Sequence, residues 1–299
     1  MRKALQLFSI MTVIGMFLVL LAGALVTNTG SQDGCGNTWP LCYGEFRPIA
    51  SLASLIEYSH RLVTGIVGLM VGALSIWTWR AFPDRTDIKW IASFSIFFLL
   101  LQSGLGAGAV IWSQSDAVLA LHFGISLLSF ASVVLLSVLT FQLGHDEGNL
   151  FNVSTFYRNS VWAIFIYVYG LVYLGALLRR VNGGLAIHTW PLNNNKLIPD
   201  NLFSVIGVNF AHRIAALIGL LLIIWLFLFT RRYYRHQRGV YVASMLTLVT
   251  IALQVLSGGY VVLSKLSVTS LMIHATFVSI FFAALSYLLY ASIIGSSRT

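Results

Sequence analysis

Long apolar runs alternate with short polar segments along nearly the whole chain. Each run is about long enough, at about 1.5 Å per residue in a helix, to cross roughly 30 Å of hydrocarbon. The first run follows Arg2 and Lys3 as a signal peptide would, but it exceeds the roughly 7–15 residues of a signal core, so we interpret it as a retained helix. The pattern predicts eight transmembrane helices, near residues 7–27, 58–79, 90–112, 117–143, 159–178, 203–230, 239–264 and 267–294.

Composition supports an all-α integral membrane protein. The 299 residues are 58% hydrophobic and only 9% charged, whereas a soluble domain carries roughly 25% charged residues. The formal net charge of +9 would by itself suit a nucleic-acid binder. We exclude a nucleic-acid partner because the basic residues lie in short loops between apolar runs, where orientation in the membrane explains them.

The basic residues are divided unequally between alternate loops. Because cytoplasmic loops carry an excess of Lys and Arg, the larger set predicts the cytoplasmic side, and it includes both termini. The loop 28–55 is then outside, in an oxidising space where a disulfide between Cys35 and Cys42 persists. The larger set is Arg2, Lys3, Arg80, Arg85, Lys89, Arg158, Arg231, Arg232, Arg235, Arg238 and Arg298; the smaller is Arg47, Arg179, Arg180, Lys196 and Lys265.

The two halves of the chain resemble each other at one offset. Each half has four spans, so both halves enter the membrane from the same side and the repeat is parallel. We expect two four-helix bundles, residues 1–150 and 151–299, related by a pseudo-twofold axis along the membrane normal. The matches, at a shift of 151 or 152 residues, are GALV 23–26 with GALL 175–178, TWPL 38–41 with TWPL 189–192, SHR 59–61 with AHR 211–213, Gln102 with Gln254, and His122 with His274.

Four of the seven histidines lie near the start of predicted spans that enter from outside. A single such histidine often just bonds a loop carbonyl. Two symmetric pairs at one depth are different, because polar groups in a bilayer are costly and usually mark function. Facing helices of a bundle then supply two imidazoles, which suit haem iron, and the repeat predicts one haem site per half near the outer face. The four are His60, His122, His212 and His274; the others, His145, His188 and His236, fall in loops and are expected to be solvated.

Residues near these histidines suit a large flat cofactor. Glycine-rich faces at 103–110 and 256–262 would clear space for a porphyrin edge, or would simply let helices approach closely. Arg61 and Arg213 each follow a histidine. They are placed to pair with haem propionates, or to extend toward lipid head groups.

The halves differ at positions that suggest chemistry in the first half only. Glu57 lies three residues before His60, on the same helix face, and its counterpart Asn209 cannot ionise. We interpret Glu57 as a proton acceptor or a stabiliser of positive charge near the first haem, although the helix dipole also favours a Glu there. Cys35 and Cys42 also belong to the first half only. A structural disulfide is favoured over a catalytic thiol pair.

The combined motifs resemble those of bacterial haem A synthases over nearly the whole chain. They are GCGNTWPLC 34–42, EYSHR 57–61, ALHFG 120–124, AHR 211–213 and MIHATF 272–277. The resemblance implies an oxidoreductase that oxidises the C8 methyl of haem O to a formyl group by successive hydroxylations, giving haem A for terminal oxidases. It implies these roles: His60 and His122 as ligands of the substrate haem, His212 and His274 as ligands of a haem b, Glu57 as the carboxylate near the reacting haem, and Cys35 with Cys42 as the outer-loop disulfide.

The resemblance also sets expectations about location, partners and electron transfer. The expected location is the bacterial cell membrane, and the expected partners are a haem O synthase and the assembly machinery of a terminal oxidase. The electron acceptor is not indicated. Some relatives carry a second cysteine pair in the outer loop of the C-terminal half, where this chain has VNGGLAIHTWPLNNN at 181–195. No electron path through such a pair is therefore expected here.

Two other classes of protein account for part of the pattern. A di-haem membrane electron-transfer cytochrome would explain the four histidines, but it gives no reason for Glu57 in one half only. A transporter often has inverted repeats and charges at the membrane midplane. Here the repeat is parallel and the ionisable groups lie near the outer face.

Overall fold

The regular structure of the chain consists of eight long helices and one 3₁₀ turn, Gly183–Leu185, within the described residues. The computed structural model describes residues 2–46, 50–111, 116–142, 152–193 and 196–296. Each long helix is apolar enough to cross a membrane, with mean hydropathy between 1.8 and 2.5, which confirms the predicted eight-helix membrane fold. The helices are α1 Arg2–Asn28, α2 Leu52–Ala81, α3 Thr86–Ile111, α4 Asp116–Gln142, α5 Thr155–Arg180, α6 Val205–Tyr233, α7 Arg238–Leu263 and α8 Val268–Ser296.

The chain divides into two compact units, Met1–His145 and Asp146–Thr299. In the first unit α1 packs against α2 and α4, and α3 packs against the same two helices, which closes a ring of four. In the second unit α5 packs against α6 and α8, as does α7. Several features named above lie outside the described residues: the predicted helix limits 112 and 143, the predicted boundary at 150, Arg47, His145 and Arg298.

Buried hydroxyl groups connect neighbouring helices within each unit. The Ser9 and Ser137 hydroxyls lie 2.9 Å apart and join α1 to α4. In the second unit the Tyr157 hydroxyl lies 2.7 Å from Thr230 Oγ1 and joins α5 to α6. Because lipid is as apolar as the helix surfaces, packing and such hydrogen bonds hold membrane helices together.

Helix α2 begins earlier than its apolar run predicted. Ser51 caps the helix by accepting a hydrogen bond from the Ser54 amide, so the helix starts at Leu52 instead of near 58. The polar residues Ser54 and Glu57 belong to the helix and are buried, although they lower its hydropathy. His60 consequently lies in the third turn of α2 and not at its start.

Candidate functional site

Each unit brings its two predicted histidines together. His60 on α2 interacts electrostatically with His122 on α4 in the first unit. His274 on α8 interacts in the same way with His212 on α6 in the second. All four imidazoles are partly buried, and each lies in the second or third turn of its helix. The structure thus places two imidazoles inside each ring of four helices.

The tautomer of His122 follows from its hydrogen-bond partner. Its Nδ1 lies 2.8 Å from the backbone carbonyl oxygen of Gln102 on α3. A carbonyl can only accept, so Nδ1 carries the proton and Nε2 keeps its lone pair. A bond from Nδ1–H to a backbone carbonyl is the usual way in which a metal-ligating histidine is oriented.

His274 has the same tautomer but a different partner. Its Nδ1 lies 2.9 Å from the Ser257 hydroxyl, which itself donates to the Gln254 carbonyl oxygen at 2.8 Å. Ser257 must therefore accept the Nδ1 proton of His274. The lone pair on His274 Nε2 faces the side-chain amide of Gln254, 3.0 Å away.

The other histidine of each pair is less constrained. His60 Nδ1 and His212 Nδ1 are buried and have no hydrogen-bond partner in the described structure. The same holds for Nε2 of Gln102 and Oε1 of Gln254. Leaving a buried polar atom unpaired costs about 1–3 kcal/mol, so orphaned atoms at repeat-related positions point to a ligand of the same kind in each unit.

Glu57 connects α2 to the loop between α1 and α2 in the first unit. The residue is only 3% exposed. Its Oε2 accepts a hydrogen bond of 2.8 Å from the Cys35 amide, and its Oε1 pairs with the Arg61 guanidinium. The sequence did not indicate this loop-anchoring contact.

Asn209 anchors the corresponding loop of the second unit, but it donates hydrogen bonds to the loop whereas Glu57 accepts one. Its Nδ2 donates to the carbonyl oxygens of Gly183 at 2.7 Å and Gly184 at 3.3 Å. Both equivalent positions therefore hold the loop against the helix. Among the described residues, only Glu57 adds a buried acidic group close in sequence to a ligand-candidate histidine.

The two arginines that follow the histidines also bind these loops, between α1 and α2 and between α5 and α6. Arg61 Nη1 donates to the Thr38 carbonyl at 2.6 Å and to a second loop carbonyl at 3.0 Å. Arg213 donates to the carbonyls of Thr189 at 2.7 Å and Ile187 at 2.9 Å. These contacts engage part of each guanidinium. A role toward haem propionates stays a prediction.

The predicted disulfide between Cys35 and Cys42 is formed, and both residues are buried. Within this loop Cys42 and Glu45 form an isolated β-bridge. Asn193 and Lys196 form the matching bridge in the second unit, where the cysteines have no counterpart. The local form of the loop is therefore shared by both units, and the disulfide is added to it in the first.

Comparison with known proteins agrees with these features. The family model described as "Cytochrome oxidase assembly protein" (COX15-CtaA) matches residues 49–286, which is most of the chain. The chain belongs to this cytochrome oxidase assembly protein family.

Similar relatives share the name "Heme A synthase" and match almost end to end. The relative from Alkalihalophilus pseudofirmus is 39% identical over 289 residues, covering 96% of this chain and 97% of its own. The relative from Shouchella clausii is 42% identical over 291 residues, with the same coverage of each chain. The relative from Geobacillus kaustophilus is 42% identical over 292 residues, covering 97% of this chain and 92% of its own.

The donor set of this cytochrome oxidase assembly protein fits a haem in each unit. Each helix ring contains two histidines, and a hydrogen bond at Nδ1 of His122 and of His274 leaves Nε2 of that ring without a proton. The Nδ1 atoms of His60 and His212 have no hydrogen-bond partner among the described residues, so no such bond fixes the tautomer of these rings. A porphyrin brings four nitrogens of its own, so two protein ligands complete the iron.

The residues that orient these imidazoles were not predicted from the sequence. Gln102 and Gln254 were matched by the repeat, but nothing in the sequence indicated that they contact histidines. Ser257 had no such signal, because its counterpart in the first unit is Leu105. Contacts of this kind depend on helix rotation, which hydropathy leaves undetermined.

Proposed function

We propose that this protein makes haem A, oxidising the C8 methyl of haem O to a formyl group by successive hydroxylations. One observation carries the proposal: each unit holds a histidine pair, but in the described part of the chain only the first unit has a buried carboxylate, Glu57, three residues from one of these histidines. Near-full-length relatives named "Heme A synthase" support the same reaction. The chain would then be an oxidoreductase acting on a CH group.

The two units have different roles in this proposal. His60 and His122 hold the substrate, haem O, in the first unit, and release haem A. His212 and His274 hold a haem b in the second unit. Haem b held by two imidazoles supplies one-electron transfer. The tautomer of His122 and of His274 leaves Nε2 without a proton in each unit, and the Gln254 amide that contacts His274 Nε2 would have to move aside for iron.

Glu57 supplies the charge that the second unit lacks. It lies three residues before His60, so its carboxylate is on the histidine's side of α2. When an external oxidant takes electrons from the methyl group, positive charge develops on its carbon, and a nearby carboxylate stabilises that charge or relieves it by taking a proton. The bonds from the Cys35 amide and Arg61 hold the carboxylate in one position, as an electrostatic role requires.

The outer loop of the first unit would cover the reacting site. Arg61 and Glu57 tie the loop to α2, and the disulfide closes it. The excess of basic residues in the opposite loops supports a cell-membrane protein with cytoplasmic termini and outward haem sites. A haem O synthase that delivers substrate and a terminal oxidase that receives haem A are the proposed partners.

Haem analysis tests the proposed function. A bacterial host that makes haem O but no haem A would express this chain, and the haems would be extracted and identified by chromatography and mass. We expect haem A, or its C8 alcohol precursor, only in membranes that contain the chain. Haem b alone in the purified protein, with haem O unconverted, would instead establish a di-haem electron-transfer cytochrome.

A further inference from the structure

Each of the four histidines packs against a glycine on a neighbouring helix. A Cβ atom added at any of these glycines would lie 3.1–3.4 Å from the imidazole Cε1 atom. At Gly23, Gly106 and Gly175 this is closer than ordinary van der Waals contact, and at Gly258 it is at the short limit of such contact, so each glycine makes room for the neighbouring imidazole. The pairs are Gly23 with His60 at 3.2 Å, Gly106 with His122 at 3.1 Å, Gly175 with His212 at 3.2 Å, and Gly258 with His274 at 3.4 Å.

These four glycines form one set within the repeat. Gly23 and Gly175 are separated by 152 residues, and so are Gly106 and Gly258. They lie on α1, α5, α3 and α7, the helices that carry none of the four histidines. Every helix of each ring thus contributes either a histidine or the glycine beside it. We call this set the ligand-facing glycines.

The sequence suggested two explanations for the glycine-rich faces. They would let helices pack closely, or they would leave space for a porphyrin edge. The structure distinguishes glycines within the same helices. An added Cβ at Gly104, in the glycine-rich segment of α3, meets nothing within 4 Å, and neither does one at Gly170 on α5. At Gly106 the three nearest atoms all belong to the His122 ring. Contact with imidazole therefore separates the ligand-facing glycines from their neighbours.

We infer that the ligand-facing glycines are positioning residues. They determine the position from which each imidazole would bind haem iron. The inference rests on the proposed function, in which these histidines hold haem. A methyl group at Gly23, Gly106 or Gly175 would push the ring by a few tenths of an ångström, and one at Gly258 would push it less. Metal–ligand distances tolerate only about 0.2 Å, so a displaced imidazole becomes a weak or absent ligand.

Four single Gly→Ala variants test this inference. Each would be purified from a host that supplies haem b and, through a haem O synthase, haem O. Low-spin bis-imidazole haem would be measured by optical absorption and electron paramagnetic resonance. Gly23→Ala and Gly106→Ala should convert first-unit haem toward high spin or lose it, whereas Gly175→Ala and Gly258→Ala should affect only second-unit haem.

The contact distances also predict the order of effects. Gly106→Ala should be the most damaging substitution of the four, and Gly258→Ala the mildest, because their Cβ contacts are the shortest and longest. Gly104→Ala and Gly170→Ala are the matched controls. They should keep both low-spin signals and the thermal stability of the wild type, since alanine favours helix and meets no neighbour.

Three results would overturn the inference. Ligand-facing variants could retain the full wild-type low-spin signal, or the two controls could lose as much signal as those variants. A variant could also lose both haems together, which contradicts a local displacement of one ligand. Failure of the proposed function looks different, because wild-type protein would then contain no bis-imidazole haem in one unit or would make no haem A.

Discussion

At the scale of single residues, the two units differ in how one histidine is held. His122 donates directly to a backbone carbonyl, whereas the Ser257 hydroxyl stands between His274 and the equivalent carbonyl. Leu105 occupies the position of Ser257 in the first unit and offers no such hydroxyl. Partners of the non-ligating nitrogen change the basicity of an imidazole and so the redox potential of its metal.

Substituting Ser257 by alanine should raise the midpoint potential of the second-unit haem. Without its acceptor at Nδ1, the His274 imidazole donates less electron density, and the ferric state loses stabilisation. Redox titration of the purified protein measures the shift, and first-unit haem should not change. Ser244→Ala is the control, because that buried hydroxyl on the same helix bonds only the Tyr241 carbonyl among the contacts described. An unchanged or lower potential would contradict the role given to Ser257.

At the scale of elements, the loop between α1 and α2 in the first unit is held at several points. Glu57 accepts from the Cys35 amide, and Arg61 donates to the Thr38 carbonyl. In the second unit, Asn209 and Arg213 hold the corresponding loop by hydrogen bonds, without a disulfide. These contacts indicate that the loop folds without the disulfide, which adds stability and not shape.

The paired substitution Cys35→Ser with Cys42→Ser should therefore lower thermal stability without unfolding the loop. A disulfide that closes so short a loop contributes about 2.5 kcal/mol in the chain-entropy account. Thermal unfolding of the variant, beside wild type with and without reductant, measures the loss. Haem A formation should persist at a reduced rate. Complete loss of haem A with unchanged stability would instead favour a catalytic thiol pair.

The ends of the helices show what sequence leaves undetermined at this scale. Hydropathy located all eight helices, because each must present apolar surface to lipid. It misplaced the start of α2, since Ser54 and Glu57 are polar yet lie inside the helix against the loop. Cap and loop contacts decide such ends, and they depend on tertiary partners.

At the scale of the whole chain, the repeat made much of the site predictable. A shift of 152 residues relates the histidines of one unit to those of the other, and each pair meets inside its own unit. The same shift relates the ligand-facing glycines, but only Cβ distances separate them from Gly104 and other glycines nearby. Residue types are visible in sequence, whereas the side of a helix that faces an imidazole is set by packing.

Departures from the repeat carry the proposed difference in function between the units. Glu57 and the disulfide occur in the first unit, with Asn209, Ala186 and Asn193 at the corresponding places in the second. A chain with two equivalent haem sites would need none of these differences. The central claim is therefore that the first unit is a reacting site and that Glu57 makes it so.

Extraction of haems from a Glu57→Gln variant tests this claim most directly. The amide keeps the size of the side chain and an oxygen for the Cys35 amide, but it removes the charge. Haem A formation should fall by about 100-fold or more, with haem O or its C8 alcohol retained and haem b unaffected. Asp200→Asn, which removes an exposed carboxylate of the second unit paired with Lys196, is the control and should form haem A normally. Haem A made by the Glu57 variant at the wild-type rate would contradict the account.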